Sequence, residues 1–196
     1  ILPSTVPGIE ELRNRMRHSA AHIMADAVQK LFPDAKLGIG PSIEDGFYYD
    51  FEMSRPFLPE DLEAISEAMK ETIATNLPFN RAVLARDEAA ILFSDQPFKL
   101  EILADIPSGE EISLYRHGDW VDLCEGPHVQ STGQVTAFAL LAVAGAYWRG
   151  DEHRPMLQRI YGTAWESQDA LGEHLERRQE AQRRDHRRLG QQLDLY

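Results

Sequence analysis

The sequence predicts an α+β domain built on a mixed β-sheet with packed helices, followed by a long C-terminal linker helix. Three observations carry this. Segments with strand-like alternation interleave with segments of three- and four-residue helical spacing. The first helical segment has an unbroken apolar stripe. The last, from about residue 167, is long and poor in apolar residues. A chain of 196 residues can bury a proper core as one large domain, or as a domain with an appendage. The expected division is a linker at 1–8, a folded domain at 9–166 with room for two subdomains, and a linker helix at 167–196.

The elements follow in order. Pro3, Pro7 and Gly8 mark the linker. In residues 9–32, Leu12, Met16, Ala20, Ile23, Ala27 and Leu31 form one helical stripe. At about 100° per residue, His18 and His22 fall opposite that stripe, beside Asn14 and Gln29. They are either idle imidazoles on a wet face or a pair, one turn apart, facing a cleft. Pro33-Asp34 ends the helix. Residues 36–43 read as a strand broken by Gly38, Gly40 and Pro41, and Glu44-Asp45-Gly46 as an Asp-Gly hairpin turn. Residues 47–51 return with Phe47, Tyr49 and Phe51 on one face and Tyr48 and Asp50 on the other.

Leu62, Ile65, Met69 and Ile73 make residues 60–76 a second amphipathic helix. A strand at 79–84 precedes a short helix capped by Asp87. Residues 97–103 are regular but of undecided type, and carry Lys99, one of four lysines. Residues 112–116 form a strand. Residues 119–128 then run from a strand (Trp120, Val121, Leu123) into a bend at Gly126-Pro127. The chain's only cysteine, Cys124, sits at that bend, and His128 follows. Residues 135–143 fit helix or strand, 144–151 a compact turn-rich run, and 156–161 a buried strand. The last helix, 167–193, loses its apolar residues after Leu175.

A formal net charge of −12 argues against phosphate-driven nucleic-acid binding by the whole surface. Arg177, Arg178, Arg183, Arg184, Arg187 and Arg188 crowd the last helix, where a solvated face is the plain reading. No run is long and apolar enough to span a bilayer, and the first residues lack the basic region of a signal peptide. The missing initiator methionine suggests a piece of a longer protein. One cysteine excludes an internal disulfide framework and suits a reducing cytoplasm.

His18-x-x-x-His22 with Cys124-x-x-x-His128 makes a legitimate four-ligand zinc set; three ligands and a water would make a catalytic zinc. Without metal, the same groups suit ester hydrolysis: an imidazole takes a proton from water, a lysine or backbone N–H stabilises the oxyanion, and a carboxylate holds a substrate ammonium. Direct attack by Cys124 is a further option.

Several blocks carry a family resemblance. They are Arg17-His18-Ser19-Ala20-Ala21-His22, the run from Gly40 to Asp50, Asp122-Leu123-Cys124-Glu125-Gly126-Pro127-His128, the run from Gly145 to Asp151, and the run from Met156 to Trp165. In this order they resemble the editing domain of bacterial-type threonyl-tRNA synthetase. Arg184-Asp185-His186-Arg187-Arg188-Leu189-Gly190 looks like the link into that enzyme's aminoacylation core. One departure is Ser-Ala-Ala where the family often has Ser-Cys-Ala.

The resemblance implies a two-part editing fold shared with alanyl-tRNA synthetase and hydrolysis of serine wrongly esterified to threonine tRNA. By position it implies a site of His18, His22, Cys124, His128, Asp122, Lys99 and Tyr49. His18 with Lys99 would activate water, and Cys124, His22 and His128 would line the pocket. Asp122 would pair with the substrate ammonium and Tyr49 would orient the substrate. It further implies no cofactor in this chain. Zinc on His18, His22, Cys124 and His128 is the feature of the alanyl-type alternative, and a non-catalytic tRNA-binding module is the third reading. The implied partners are serine-charged threonine tRNA and the rest of an ATP-using synthetase, a cytoplasmic homodimer without a membrane anchor.

Overall fold

The computed structural model describes the backbone of residues 8–192 and the side chains of residues 8–184. The expected linker at 1–8 therefore lies, apart from Gly8, outside the described residues, as do the side chains of Arg187 and Arg188. In chain order the elements are α1 (Ile9–Leu31), β1 (Lys36–Leu37), β2 (Ser42–Ile43), β3 (Gly46–Glu52), α2 (Pro59–Ala74) and β4 (Asn80–Leu84). There follow α3 (Arg86–Leu92), α4 (Pro97–Asp105), β5 (Ile112–His117), β6 (Trp120–Leu123), β7 (Ala137–Tyr147), β8 (Met156–Trp165) and α5 (Gln168–Gln192).

The strands form two sheets. The larger has the order β1-β3-β8-β7, with β2 also paired to β3; the smaller is β4-β5-β6. Every pairing among the described residues is antiparallel, which corrects the expected mixed sheet. For three of the six pairings the reason is connectivity. β2–β3, β5–β6 and β7–β8 are joined by short turns, and short turns can only reverse the chain. The α+β class stands.

α1 runs through the middle of the molecule. Met16, Ala20, Ile23 and Ala27 join Phe47, Tyr49, Phe51, Ile65 and Met69 in the main core, between the large sheet and α2. The opposite, polar face is buried too. Asp26 Oδ2 lies 3.2 Å from His117 Nε2, and Trp120 Nε1–H donates to Gln29 Oε1 at 2.7 Å. The small sheet therefore covers the histidine face of α1, and the wet-face reading of His18 and His22 fails. The stripe's ends, Leu12 and Leu31, stay exposed.

Several local expectations change. Ile43 pairs with Gly46, so the two-residue loop is Glu44-Asp45 and Gly46 begins a strand. Glycine is needed there because a Cβ would lie 2.2 Å from Gly162 O across the sheet. Residues 36–43 are two short strands, one on each side of Gly38–Pro41. Asp87 is in the first turn of α3 but does not cap it; the Ala85 N–H bonds Glu88 Oε2 at 2.9 Å. Residues 97–103 are helical, begun by Pro97 in the first turn. The stretch left open at 135–143 is strand, and β7 continues to Tyr147 before a 3-10 turn at Trp148–Gly150. Ser167 Oγ accepts from Ala170 N–H at the start of α5. Leu171 and Leu175 pack around Trp165, beyond which residues 176–184 are exposed. No described helix is long and apolar enough to cross a membrane.

Candidate active site

The site forms where α1 meets the end of β6. His18 and His22 lie one turn apart on α1, and Cys124 and His128 lie on the segment that leaves β6. The 18–128 and 22–128 ring centroids are 4.2 and 4.3 Å apart. Cys124 Sγ is 3.3 Å from both His18 Nε2 and His128 Nε2. All four residues predicted as this cluster are brought together. A cleft of about 440 Å³, lined by His18, His22, Lys99, Asp122 and Cys124 among others, opens onto them.

The bend that places Cys124 depends on Gly126. Its φ of 80° favours glycine, and a Cβ there would lie 2.5 Å from Tyr115 Oη. The Gly126 N–H then donates to Cys124 Sγ at 3.2 Å.

The hydrogen bonds fix the tautomers. Pro127 O lies 3.2 Å from His18 Nδ1 and can only accept, so His18 carries its proton on Nδ1. A neutral His18 then presents the Nε2 lone pair, to which the Cys124 thiol donates. Cys124 Sγ accepts from His128 Nε2–H, which leaves His128 Nδ1 to accept from Ser19 Oγ at 3.0 Å. Ser19 Oγ accepts in turn from Val129 N–H at 3.1 Å. The donors run in one direction, from Ser19 to His128 to Cys124 to His18 to Pro127.

Burial sets the protonation states. Desolvation lowers His18 below the ordinary imidazole range and pushes His128 down to about 2, with the neighbouring His18 and His117 adding to the latter. His22 falls well below its ordinary value, first by desolvation and then through His128 and His18. Desolvation pushes the Cys124 thiol up to about 12. At neutral pH the cluster holds three neutral imidazoles and a thiol, and Cys124 is no thiolate nucleophile.

Asp122 and Tyr49 have partners that the sequence did not reveal. Asp122 is buried on β6, with Oδ1 2.6 Å from Lys99 Nζ and accepting from Leu123 N–H at 2.8 Å. Its Oδ2 accepts from Tyr49 Oη at 2.6 Å. Oδ1 thus has two partners and Oδ2 one, and the residue lines the cleft. Tyr49 is fully buried and spends its hydroxyl on Asp122, so it supports the site from beneath and does not reach a substrate. Asp122 is the hub that holds Lys99 at the edge of the cleft.

Sequence reading missed four contributors. Ser19 sets the His128 tautomer, and its place between the two histidines of the first motif was the available signal. The carbonyl of Pro127 carries no side-chain signal at all. Phe79 stacks on His128 at 4.8 Å and Tyr115 packs against it at 4.5 Å. Tyr115 lies on β5, the neighbour of β6, and Phe79 precedes β4, far from His128 in sequence.

The donor set also fits a metal ion. One ligand atom from each of His18, His22, Cys124 and His128 lies within 4.8 Å of the others. Zinc bonds of about 2.0–2.3 Å require edges of roughly 3.3–3.8 Å, which the two 3.3 Å sulfur–nitrogen distances meet. His22 Nδ1 is buried without a hydrogen-bond partner, and His18 donates outward through Nδ1–H to Pro127 O, as ligand histidines do; His128 would match it only with its proton moved from Nε2 to Nδ1, facing Ser19 Oγ.

Comparison with known proteins places the chain beside synthetases. Residues 112–161, which hold β5, β6 and the Cys124–His128 segment, match the threonyl and alanyl tRNA synthetase second additional domain. A threonine--tRNA ligase of Dehalococcoides mccartyi (strain ATCC BAA-2266 / KCTC 15142 / 195) is 58% identical over 181 residues, 92% of this chain and 31% of that protein. Those of Gluconobacter oxydans and Nitratidesulfovibrio vulgaris are 53% and 57% identical, over 95% and 92% of this chain and 30% and 28% of theirs. The chain thus spans about three-tenths of the length of the curated relatives it matches. Residues 112–161 are thus similar to the threonyl and alanyl tRNA synthetase second additional domain, within a chain similar along nearly its whole length to one segment of the threonine--tRNA ligases.

Proposed function

We propose that this chain is the editing part of a threonyl-tRNA synthetase, an ester hydrolase that removes serine attached in error to threonine tRNA. The observation that carries the reading is a neutral His18 whose Nε2 faces the cleft beside the Lys99–Asp122 ion pair. Editing has a physical motive. Serine lacks one methyl of threonine, and a difference of that size is worth only about 1–3 kcal/mol in a binding pocket. A second pocket that admits serine and excludes threonine supplies the missing discrimination.

The reaction balances on these groups. Water replaces the weak S–H donor at His18 Nε2 and attacks the ester carbonyl as Nε2 takes its proton. The new C–O bond makes a tetrahedral oxyanion, which the Lys99 ammonium stabilises from the edge of the cleft. Collapse breaks the bond to the ribose oxygen, which takes the proton back from His18. Free serine and uncharged tRNA leave. Cys124, His22 and His128 shape the pocket and hold the His18 ring.

The partners in this reading are serine-charged threonine tRNA and the remainder of the synthetase chain, in a cytoplasmic homodimer. With this chain so acidic, most of the tRNA affinity comes from elsewhere in that enzyme.

The pH profile should follow His18. A base must be unprotonated, and burial keeps His18 below its ordinary value of 6.5. The hydrolysis rate constant should therefore be flat from about pH 6.5 upward and fall only on acidification below that. Stability falls on the same side, because unfolded histidines bind protons that buried His22 and His128 do not. Circular dichroism at each pH separates the two losses. A rate that climbs steadily between pH 7 and 9 would contradict a neutral-imidazole base.

A second reading rests on the fit of the donor set. Zinc held by His18, His22, Cys124 and His128 would supply Lewis-acid and water-activating chemistry. The proposed hydrolysis needs no metal, since base and cation are both provided by side chains. Deacylation of seryl-tRNA should proceed unchanged after exhaustive chelation. Loss of activity on chelation with recovery on added zinc would establish the second reading, and tRNA binding without deacylation a non-catalytic module.

A further inference from the structure

Lys99 is buried in the first turn of a helix that cannot hold itself. α4 has nine residues and no side-chain N-cap, and helices of that length are unstable alone. Its apolar residues divide between two small cores: Leu103 with Ala89 and Ile112, and Phe98 with Trp148 and Leu157. Its position comes from outside, and the tip of the β7–β8 hairpin supplies three holds. The Trp148 ring lies 4.9 Å from Phe98, and its Nε1–H donates to Glu101 Oε2 at 3.0 Å. Arg154 forms an ion pair with the same Glu101 oxygen. Arg149 Nη1 meets Asp105 Oδ2 at 2.6 Å. Arg149 is a non-glycine residue with φ 57°, a conformation that persists only where its surroundings impose it. That turn lets Trp148 point inward, 1% exposed, while Arg149 reaches the end of α4.

We propose that the β7–β8 tip is a clamp that positions Lys99 through α4, with Glu101 and Trp148 as positioning residues. Glu101 lies half a turn beyond Lys99 and takes both tip donors on one oxygen. Releasing it frees α4 to shift or rotate, and Lys99, which bonds Asp122 Oδ1 at 2.6 Å, moves with it. A misplacement of about 1 Å at a reacting group can cost as much as a hundred-fold in rate. The kinetic side of this inference rests on the hydrolase reading; the geometric side does not.

The test measures both. The first readout is residue-resolved labelling with an amine-directed reagent, in the parent and in Glu101→Ala, Glu101→Gln and Trp148→Phe. Lys99 is shielded in the parent, and Lys30, Lys36 and Lys70 serve as internal controls. Glu101→Ala should raise Lys99 labelling about ten-fold and leave the controls unchanged. Trp148→Phe, which keeps the ring contact but loses the N–H, should give a smaller rise. Glu101→Gln, which keeps the acceptor, should restore most of the protection. Unchanged Lys99 labelling in Glu101→Ala overturns the clamp, and equal rises at all four lysines mean general loosening and overturn it too.

The second readout is seryl-tRNA deacylation. Glu101→Ala should lower kcat about ten-fold with KM within two-fold, and should have no further effect once Lys99→Ala is present. Full additivity in that double variant would overturn action through Lys99. If the parent lacks deacylation, the hydrolase reading fails and the labelling result still decides the clamp.

Discussion

Replacing His18 with alanine should lower seryl-tRNA deacylation by about 10²–10⁴-fold, the range a positioned general base contributes, while the fold survives. His18 offers the imidazole lone pair nearest the open cleft, and Pro127 O holds that ring in the required tautomer. Its neighbours cannot take over: His128 Nε2–H is spent on Cys124 Sγ, and His22, although it borders the cleft, is almost fully buried. Stability should change little, because His18 is only half-buried and lies outside the main apolar core. A change of about 1 kcal/mol would move Tm by about 2–4 °C in a chain of this size. Deacylation rates and thermal melts of the two proteins check both parts. Undiminished activity in a folded His18→Ala protein removes His18 from its role.

The largest expected effect on stability belongs to Asp122. Lys99, Asp122 and Tyr49 are each at most 2% exposed, and the carboxylate is the acceptor for both of the others. Asp122→Ala leaves an ammonium buried without its counter-charge and a phenol without its acceptor. Breaking a buried pair in this way costs about 3–5 kcal/mol. Removing the charge as well, in Asp122→Ala with Lys99→Met, should recover part of that loss, because the stranded cation is its main cause. Denaturant unfolding of the two variants and the parent measures it. A loss below about 1 kcal/mol for Asp122→Ala would mean the pair is solvated and the hub description is wrong.

Much of the site was legible in the residues. The helical spacing of His18 and His22, the strand running into Gly126-Pro127 and the single cysteine at that bend were local features, and local features survive folding. The burial of the histidine face was not legible. It depends on the small sheet crossing α1 through His117 and Trp120, which meet Asp26 and Gln29 from 91 residues away. The same non-local origin explains α4. Its short, mixed sequence had no clear period because Leu103 and Phe98 serve different cores. That Asp122 would also accept from Lys99, Tyr49 and Leu123 N–H was not legible, because these partners come together only in the folded chain. The antiparallel order of the larger sheet was also hidden, because alternation marks a strand without giving its direction.

The most direct measurement compares hydrolysis of seryl- and threonyl-esters of threonine tRNA at equal concentration. Both esters present the same ammonium, carbonyl and hydroxyl, so Lys99 and His18 cannot distinguish them. Discrimination has to come from a wall that leaves no room for the extra methyl. Overpacking by one methyl costs about 1–3 kcal/mol, and displacement of the attacking water from the line to His18 Nε2 adds to it. Editing predicts seryl-tRNA cleavage at least about ten-fold faster than threonyl-tRNA cleavage; equal rates for the two esters would contradict it.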